Sequence, residues 1–125
     1  MKSPCPCGLP ATYSACCGRY HAGAAAPTPE ALMRSRYSAF ALGLGDYLLA
    51  SWHASTRPAD LDVITPPQPK WIGLQILGAA LQDESHGTVH FIARCRVGGR
   101  AERLEEISRF VREEGRWYYV DGAIA

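Results

Sequence analysis

An α+β fold, with helices first and a four-stranded antiparallel sheet after them, follows from three features of the sequence. Four of the five cysteines fall between positions 5 and 17, in a segment with too little apolar mass to be ordered by a core of its own. Apolar residues then recur at spacings of three and four from Leu32 to Trp52, and at a spacing of two from Trp71 onward. The 125 residues suffice for one domain that buries roughly two thirds of its unfolded surface, plus one small ordered knuckle.

The knuckle comes first. Cys5-Pro6-Cys7-Gly8 is followed by the adjacent pair Cys16-Cys17. Sequence neighbours have Cα atoms about 3.8 Å apart, short of the roughly 4.4 Å a relaxed disulfide needs, so a Cys16-Cys17 bridge would be strained. In an extended Cys5-Pro6-Cys7 the two sulfurs leave one face, and Pro6 fixes one torsion. Thr12 to Ala15 predicts a helical turn capped by the Thr12 side chain, which sets Cys16 and Cys17 about 100° apart at one end. Four converging thiolates are the donor set of a closed structural zinc site; a disulfide pair or an iron–sulfur cluster is the alternative.

These residues resemble the zinc-binding SEC-C motif of the SecA translocation ATPase and of many small bacterial proteins. Cys5, Pro6, Cys7, Gly8, Tyr13, Cys16, Cys17 and Gly18 match it in register. The usual motif is lysine-rich between the cysteine pairs, where this chain has Leu9-Pro10-Ala11-Thr12.

Gly18 to Thr28 is rich in Ala, Gly and Pro and reads as a linker. His21 stands in it as a surface residue, with metal ligation the rival reading. The division expected is a knuckle over 1–22, a linker over 23–28 and a domain over 29–125. Thr28-Pro29-Glu30 has the cap, first-turn proline and acid of a helix start. Leu32, Met33, Tyr37, Phe40, Ala41 and Leu44 form the apolar stripe, with Arg34 and Ser38 off it. Gly43 and Gly45 end that helix, and Asp46 caps a second one carrying Tyr47, Leu48, Leu49 and Trp52. Pro58 to Lys70 is an irregular connection with a short turn at Leu61 to Ile64. Strands are expected over Trp71 to Leu81, Thr88 to Val97, Leu104 to Arg112 and Arg116 to Asp121, with a hairpin at Gly98-Gly99.

Leu32 to Phe40, Asp46-Tyr47-Leu48-Leu49, Trp52-His53, Ser108-Arg109-Phe110 and Gly115 to Gly122 together resemble the YchJ-like family of bacterial proteins. That resemblance implies an N-terminal zinc motif on a cone-shaped domain of the nuclear transport factor 2-like (NTF2-like) fold, two helices against a curved four-stranded sheet. It implies no reaction. Some members carry a second SEC-C motif; the sequence through Ala125 contains one.

Such a cone often encloses a pocket, and strand alternation names its lining. Glu106, Ser108 and Phe110 share one strand face; Trp117, Tyr119 and Asp121 share a face of the next. The roof is expected to be Met33, Tyr37 and Phe40, with Trp52 and His53 at the helix end that closes the opening. An enzyme reading makes His53 a general acid or base oriented by Glu106 or Asp121, with Tyr37 or Tyr119 polarising a carbonyl. The rival and favoured reading has the aromatics filling the cone as core. No nucleophile motif or phosphate loop accompanies these groups, so no catalytic residue is assigned.

Cys95 alternates with Val89, Phe91, Ala93 and Val97 and reads as a core thiol. Thirteen basic and twelve acidic side chains leave a charge of +1, and no field to draw in nucleic acid or an anionic membrane. Arg34, Arg36, Arg94, Arg96, Arg100, Arg103 and Arg109 would give a basic face for nucleic acid. Glu102, Glu105, Glu106, Glu113 and Glu114 lie among the later ones and favour charge pairs instead. The alanine run 24–26 is too short for a signal core or a span. The expectation is a cytoplasmic zinc-binding adapter with no membrane partner, docking a protein through Leu9, Pro10 and Tyr13 of the knuckle. Its alternative is an enzyme or small-ligand binder using the cone around His53.

Overall fold

The computed structural model describes residues 3–125; Met1 and Lys2, at the start of the 1–22 segment, lie outside the described residues. A 3₁₀ turn, Tyr13–Ala15, leads into α1, Cys17–His21, followed by α2, Pro29–Leu42, and α3, Gly45–Ala50. Four strands follow: β1, Lys70–Leu81; β2, His86–Val97; β3, Arg100–Glu113; and β4, Arg116–Ile124. They form one antiparallel sheet in the order β1-β2-β3-β4, each strand paired with its neighbour in sequence. Among the described residues no helix is long and apolar enough to cross a membrane.

The helix boundaries have local causes. The Thr28 hydroxyl accepts from Ala31 N at 3.0 Å, capping α2 as its sequence predicts. Gly43 ends α2 in the left-handed region at φ 74°, which a glycine adopts without steric cost. Asp46 sits in the first turn of α3 and Leu44 occupies its cap. The Thr12 side chain makes no cap; its backbone carbonyl accepts from Ala15 N at 3.1 Å instead. In the proline-rich connection Asp62 Oδ1 accepts from the amides of Ile64 and Thr65, the turn expected there.

Leu32, Met33 and Tyr37 of α2 pack on Val89, Phe91 and Ala93 of β2, Phe110 of β3 and Trp117 of β4. Phe40 turns to Trp71 of β1, ring centroids 5.9 Å apart. The α2 face opposite this core is buried too, since Ser35 and Ser38 are fully covered. The knuckle covers it, so α2 lies between two layers. Irregular register at Trp71/Gly73, Ile76/Gly78 and Arg109/Phe110 bends the sheet over α2. Cys95 is buried on the face expected of it, while Val97 beyond it is exposed. The outer surface carries charge pairs, Arg109 with Asp121 across β3 and β4 and Arg103 with Glu105 along β3.

Candidate metal centre and cone cavity

The knuckle is a short hook. Cys5 N donates to Ala11 O at 3.0 Å and Gly8 N to Cys5 O at 3.2 Å, so the chain doubles back and presents Cys5 and Cys7 inward. The 3₁₀ turn then delivers Cys16 and Cys17 to the same point. All four Sγ atoms lie within 4.8 Å of one another and all four residues are buried. Cys7 Sγ and Cys16 Sγ are 3.7 Å apart. Tetrahedral bonds of about 2.3 Å to one ion would put neighbouring sulfurs about 3.8 Å apart, so the cluster has the dimensions of a single metal centre. Its electrostatics agree. A hydrogen bond from Cys17 holds the Cys7 thiol down at about 5, whereas burial pushes Cys16 up to about 11, and Cys17, whose proton Cys7 engages, is also raised. The Cys7 thiolate forms readily, and Cys16 and Cys17 need a cation to discharge.

The hook is fixed to α2. Arg34 Nη1 donates to Cys7 O at 3.1 Å, its Nε meets Glu30 at 3.1 Å, and Cys5 Sγ lies 3.7 Å from Ser38 Oγ. His21, expected on the surface, is the central tie instead. Its Nε2 donates to Ser35 O at 2.8 Å; a carbonyl can only accept, so Nδ1 is the acceptor for Tyr13 Oη at 2.6 Å. Tyr47 packs edge-on against the His21 ring at 4.6 Å. Burial lowers the His21 pKa and keeps the ring neutral. Helix α1 thus occupies the start of the stretch expected to be linker, and Tyr13 spends its hydroxyl on this network while Leu9 and Pro10 stay exposed.

Beneath α2 lies a cone cavity of about 170 Å³. Of the residues expected to line it, Tyr37, Trp52, Glu106, Ser108 and Tyr119 do so. Phe110 and Trp117 sit below it as packed core. His53 and Asp121 lie outside, and each correction has a backbone cause. Residues 51–53 run along β4, with Tyr119 N donating to Ser51 O at 2.9 Å and His53 N to Tyr119 O at 2.7 Å. Alternation then turns Trp52 inward onto Tyr119 and His53 outward, where its Nε2 meets Glu113 at 2.7 Å and its Nδ1 meets Ser55 at 2.6 Å. Asp121 follows from the β3–β4 bulge. Tyr119 pairs with Phe110 but Asp121 pairs with Arg109, so Val120 is an extra residue and the parity reverses. Asp121 therefore meets Arg109 on the outer face through two bonds of 2.6 Å. The acid–base pair of His53 with Glu106 or Asp121 does not form.

The parity change brings Gly122 to the inner face. A Cβ there would stand 3.1 Å from Glu106 Oε2 and 3.2 Å from Ser108 Oγ, so the missing side chain leaves space for these groups. Burial raises the Glu106 pKa.

The cavity also contains Arg36, expected on a basic face and in fact 3 % exposed. Its guanidinium lies against the Tyr119 ring at 4.4 Å and the Trp52 ring at 5.0 Å, the two rings meeting edge-to-face at 5.1 Å. Nη1 donates to Leu48 O at 2.8 Å and Ser51 Oγ at 2.7 Å. Burial lowers its pKa to about 10, which leaves it charged at neutral pH. Helical phase was the signal for it: Arg36 follows Leu32 by four and precedes Phe40 by four, on the apolar stripe itself.

The comparisons agree with this architecture. Residues 28–122 match the family model described as YchJ, middle NTF2-like domain. A UPF0225 protein of Bordetella parapertussis is 58% identical over 133 residues, spanning 99% of each chain. One from Chromobacterium violaceum is 54% identical over 129 residues, spanning 99% of this chain and 95% of that protein. The solution structure of a SEC-C motif containing protein from Rhodopseudomonas palustris superposes with a TM-score of 0.86 at 37% identity, over 100% of this chain and 99% of that one. A crystal structure of a SEC-C motif containing protein from Psychrobacter arcticus gives 0.80 at 27% identity, over 97% and 82%. A four-cysteine hook seated on the roof helix of an NTF2-like cone, with these relatives, places the chain in the YchJ (UPF0225) family.

Proposed function

We propose that the protein is a zinc-stabilised docking protein of the bacterial cytoplasm, whose knuckle presents a rigid apolar hook to a protein partner. The observation that supports it most directly is the closure of the cysteine cluster: four buried thiols at single-ion spacing, seated on α2. Four thiolates fill the tetrahedral positions of zinc, so the ion has no open site for a substrate and serves structure. A reducing compartment keeps such thiols available to metal. The metal holds the Cys5–Cys7 hook, at whose tip Leu9 is 39 % exposed beside exposed Pro10. A preordered apolar tip loses little conformational entropy when it docks. Without the lysines usual between the cysteine pairs, that contact depends little on salt, unlike phosphate-backbone binding.

Removing residues 1–22 would uncover Ser35, Ser38 and Tyr47, so point changes at the tip are the cleaner test. The purified chain should carry one equivalent of zinc, and a Cys16→Ser, Cys17→Ser double variant should carry none. Crosslinking capture from lysate should recover a defined protein that survives a high-salt wash and is lost with Leu9→Asp, Pro10→Asp. Retention of zinc by the double cysteine variant refutes the metal assignment. An unchanged partner set with the tip variant refutes the docking role, and a salt-labile, RNA-dependent set replaces it with nucleic-acid binding.

A further inference from the structure

Arg36 is a buried cation with no carboxylate partner among the described residues. Glu30 is held by Arg34, Glu105 by His90 and Arg103, Asp121 by Arg109, and Glu113 by His53, while Glu106 lines the same cavity but forms no ion pair with Arg36. Among the described residues the hydrogen bonds of Arg36 run only from Nη1, to one backbone carbonyl and one hydroxyl. Burying an ionised group is costly unless it is paired, and a site that keeps one is commonly built to meet an opposite charge. Tyr119 and Trp52, edge-to-face at 5.1 Å, both lie to one side of the guanidinium, which leaves Nε and Nη2, unbonded to protein among the described residues, for an anion. That is the bidentate approach of a carboxylate.

The rest of the cavity defines what carries the carboxylate. Tyr37, Phe40, Trp71 and Phe91 wall the space with ring faces and edges. Its volume is about 170 Å³. An apolar protein cavity of about 150 Å³ accommodates benzene, so this one has room for one ring and a small substituent. On the wall formed by β3, Glu106 makes no hydrogen bond to the protein among the described residues, and burial raises its pKa.

We propose that the cone cavity is a binding site for a small single-ring aromatic carboxylate, its ring among Tyr37, Phe40, Trp71 and Phe91 and its carboxylate on the Arg36 guanidinium. The site is independent of the docking role of the knuckle, because Arg36 belongs to the sheet side of α2.

Benzoate is the probe, benzamide its neutral isostere, and the three tryptophans are reporters. Trp52 and Trp71 line the cavity and Trp117 does not, so titration of the zinc-loaded full chain with benzoate should move the indole N–H signals of the first two and leave the third in place. Losing the charged pair should weaken benzamide at least about tenfold. Arg36→Met should remove that preference. Should this variant not fold, Leu104→Trp fills the cavity from β3 without touching the Arg36 contacts, and it should abolish benzoate binding while keeping the wild-type dichroism spectrum. The proposal is overturned by the absence of saturable binding up to about 10 mM benzoate, a concentration at which even a site of only −4 kcal/mol would be mostly filled. Equal affinity for benzamide, a shift confined to Trp117, or binding retained in folded Leu104→Trp would each overturn it as well.

Discussion

Phe110→Ala tests whether the sheet and α2 share one core. The ring is 1 % exposed and meets Tyr119 at 5.9 Å and 68°. Full burial of such a side chain is worth about 1.5–3 kcal/mol in transfer from water, and a residual void brings phenylalanine truncations to roughly 3–5 kcal/mol. Two features place this site toward the top of that range. Its partner on β2 is Gly87, which has no side chain to move into the space. Its partner on β4 is Tyr119, whose backbone is bonded to Ser51 and His53 and whose ring is stacked on Arg36, so it relaxes little. The expected loss is about 4 kcal/mol, or roughly 12–16 °C in Tm at this chain length. The assay is urea unfolding of the full chain followed by far-UV dichroism, with the m-value compared between variants. A lower midpoint at unchanged m is expected. A loss below about 1 kcal/mol would mean that Phe110 contributes little burial, and the facing of β3 would be refuted.

Two further predictions address the edges of α2. Gly43→Ala should cost about 1–2 kcal/mol, because φ is 74° and an alanine strains there; the Ile64 methyl 2.7 Å from the added Cβ belongs to an exposed side chain and can swing away. Gly43→Asn should cost less, and an equal loss in the two variants by urea titration would assign the effect to crowding instead. His21 should make stability depend on pH: its folded pKa is lowered by burial below an unfolded value of about 6.5, so its contribution is complete above that value and is lost as pH falls toward the lowered folded pKa. Urea midpoints at about pH 7.5 and 5.5 should separate more in the wild type than in His21→Gln, and identical separations would show that His21 is not the titrating group.

The local features were legible in the order of residues along the chain. Cys5, Cys7, Cys16 and Cys17 converge because their spacing and Pro6 restrict a short chain, and Thr28 with Gly43 bounds α2 through hydrogen bonding and backbone conformation. Alternation along one strand was equally legible, since Glu106, Ser108 and Phe110 do share a face. Tertiary structure decided what depends on partners distant in the chain. A bulge turned Asp121 outward, because register is set by pairing with β3 and not by β4 alone. Strand-like pairing of residues 51–53 with β4 put Trp52 in the cone and His53 outside it. The knuckle buried the polar face of α2, so Ser35 and Ser38 are interior and His21 of α1 is half-buried where composition reads as surface. Arg36 was decided last of all: only the meeting of α2, α3 and β4 gives its charge two ring faces, a carbonyl and a hydroxyl, and that enclosure is what allows a cation to lie on an apolar stripe.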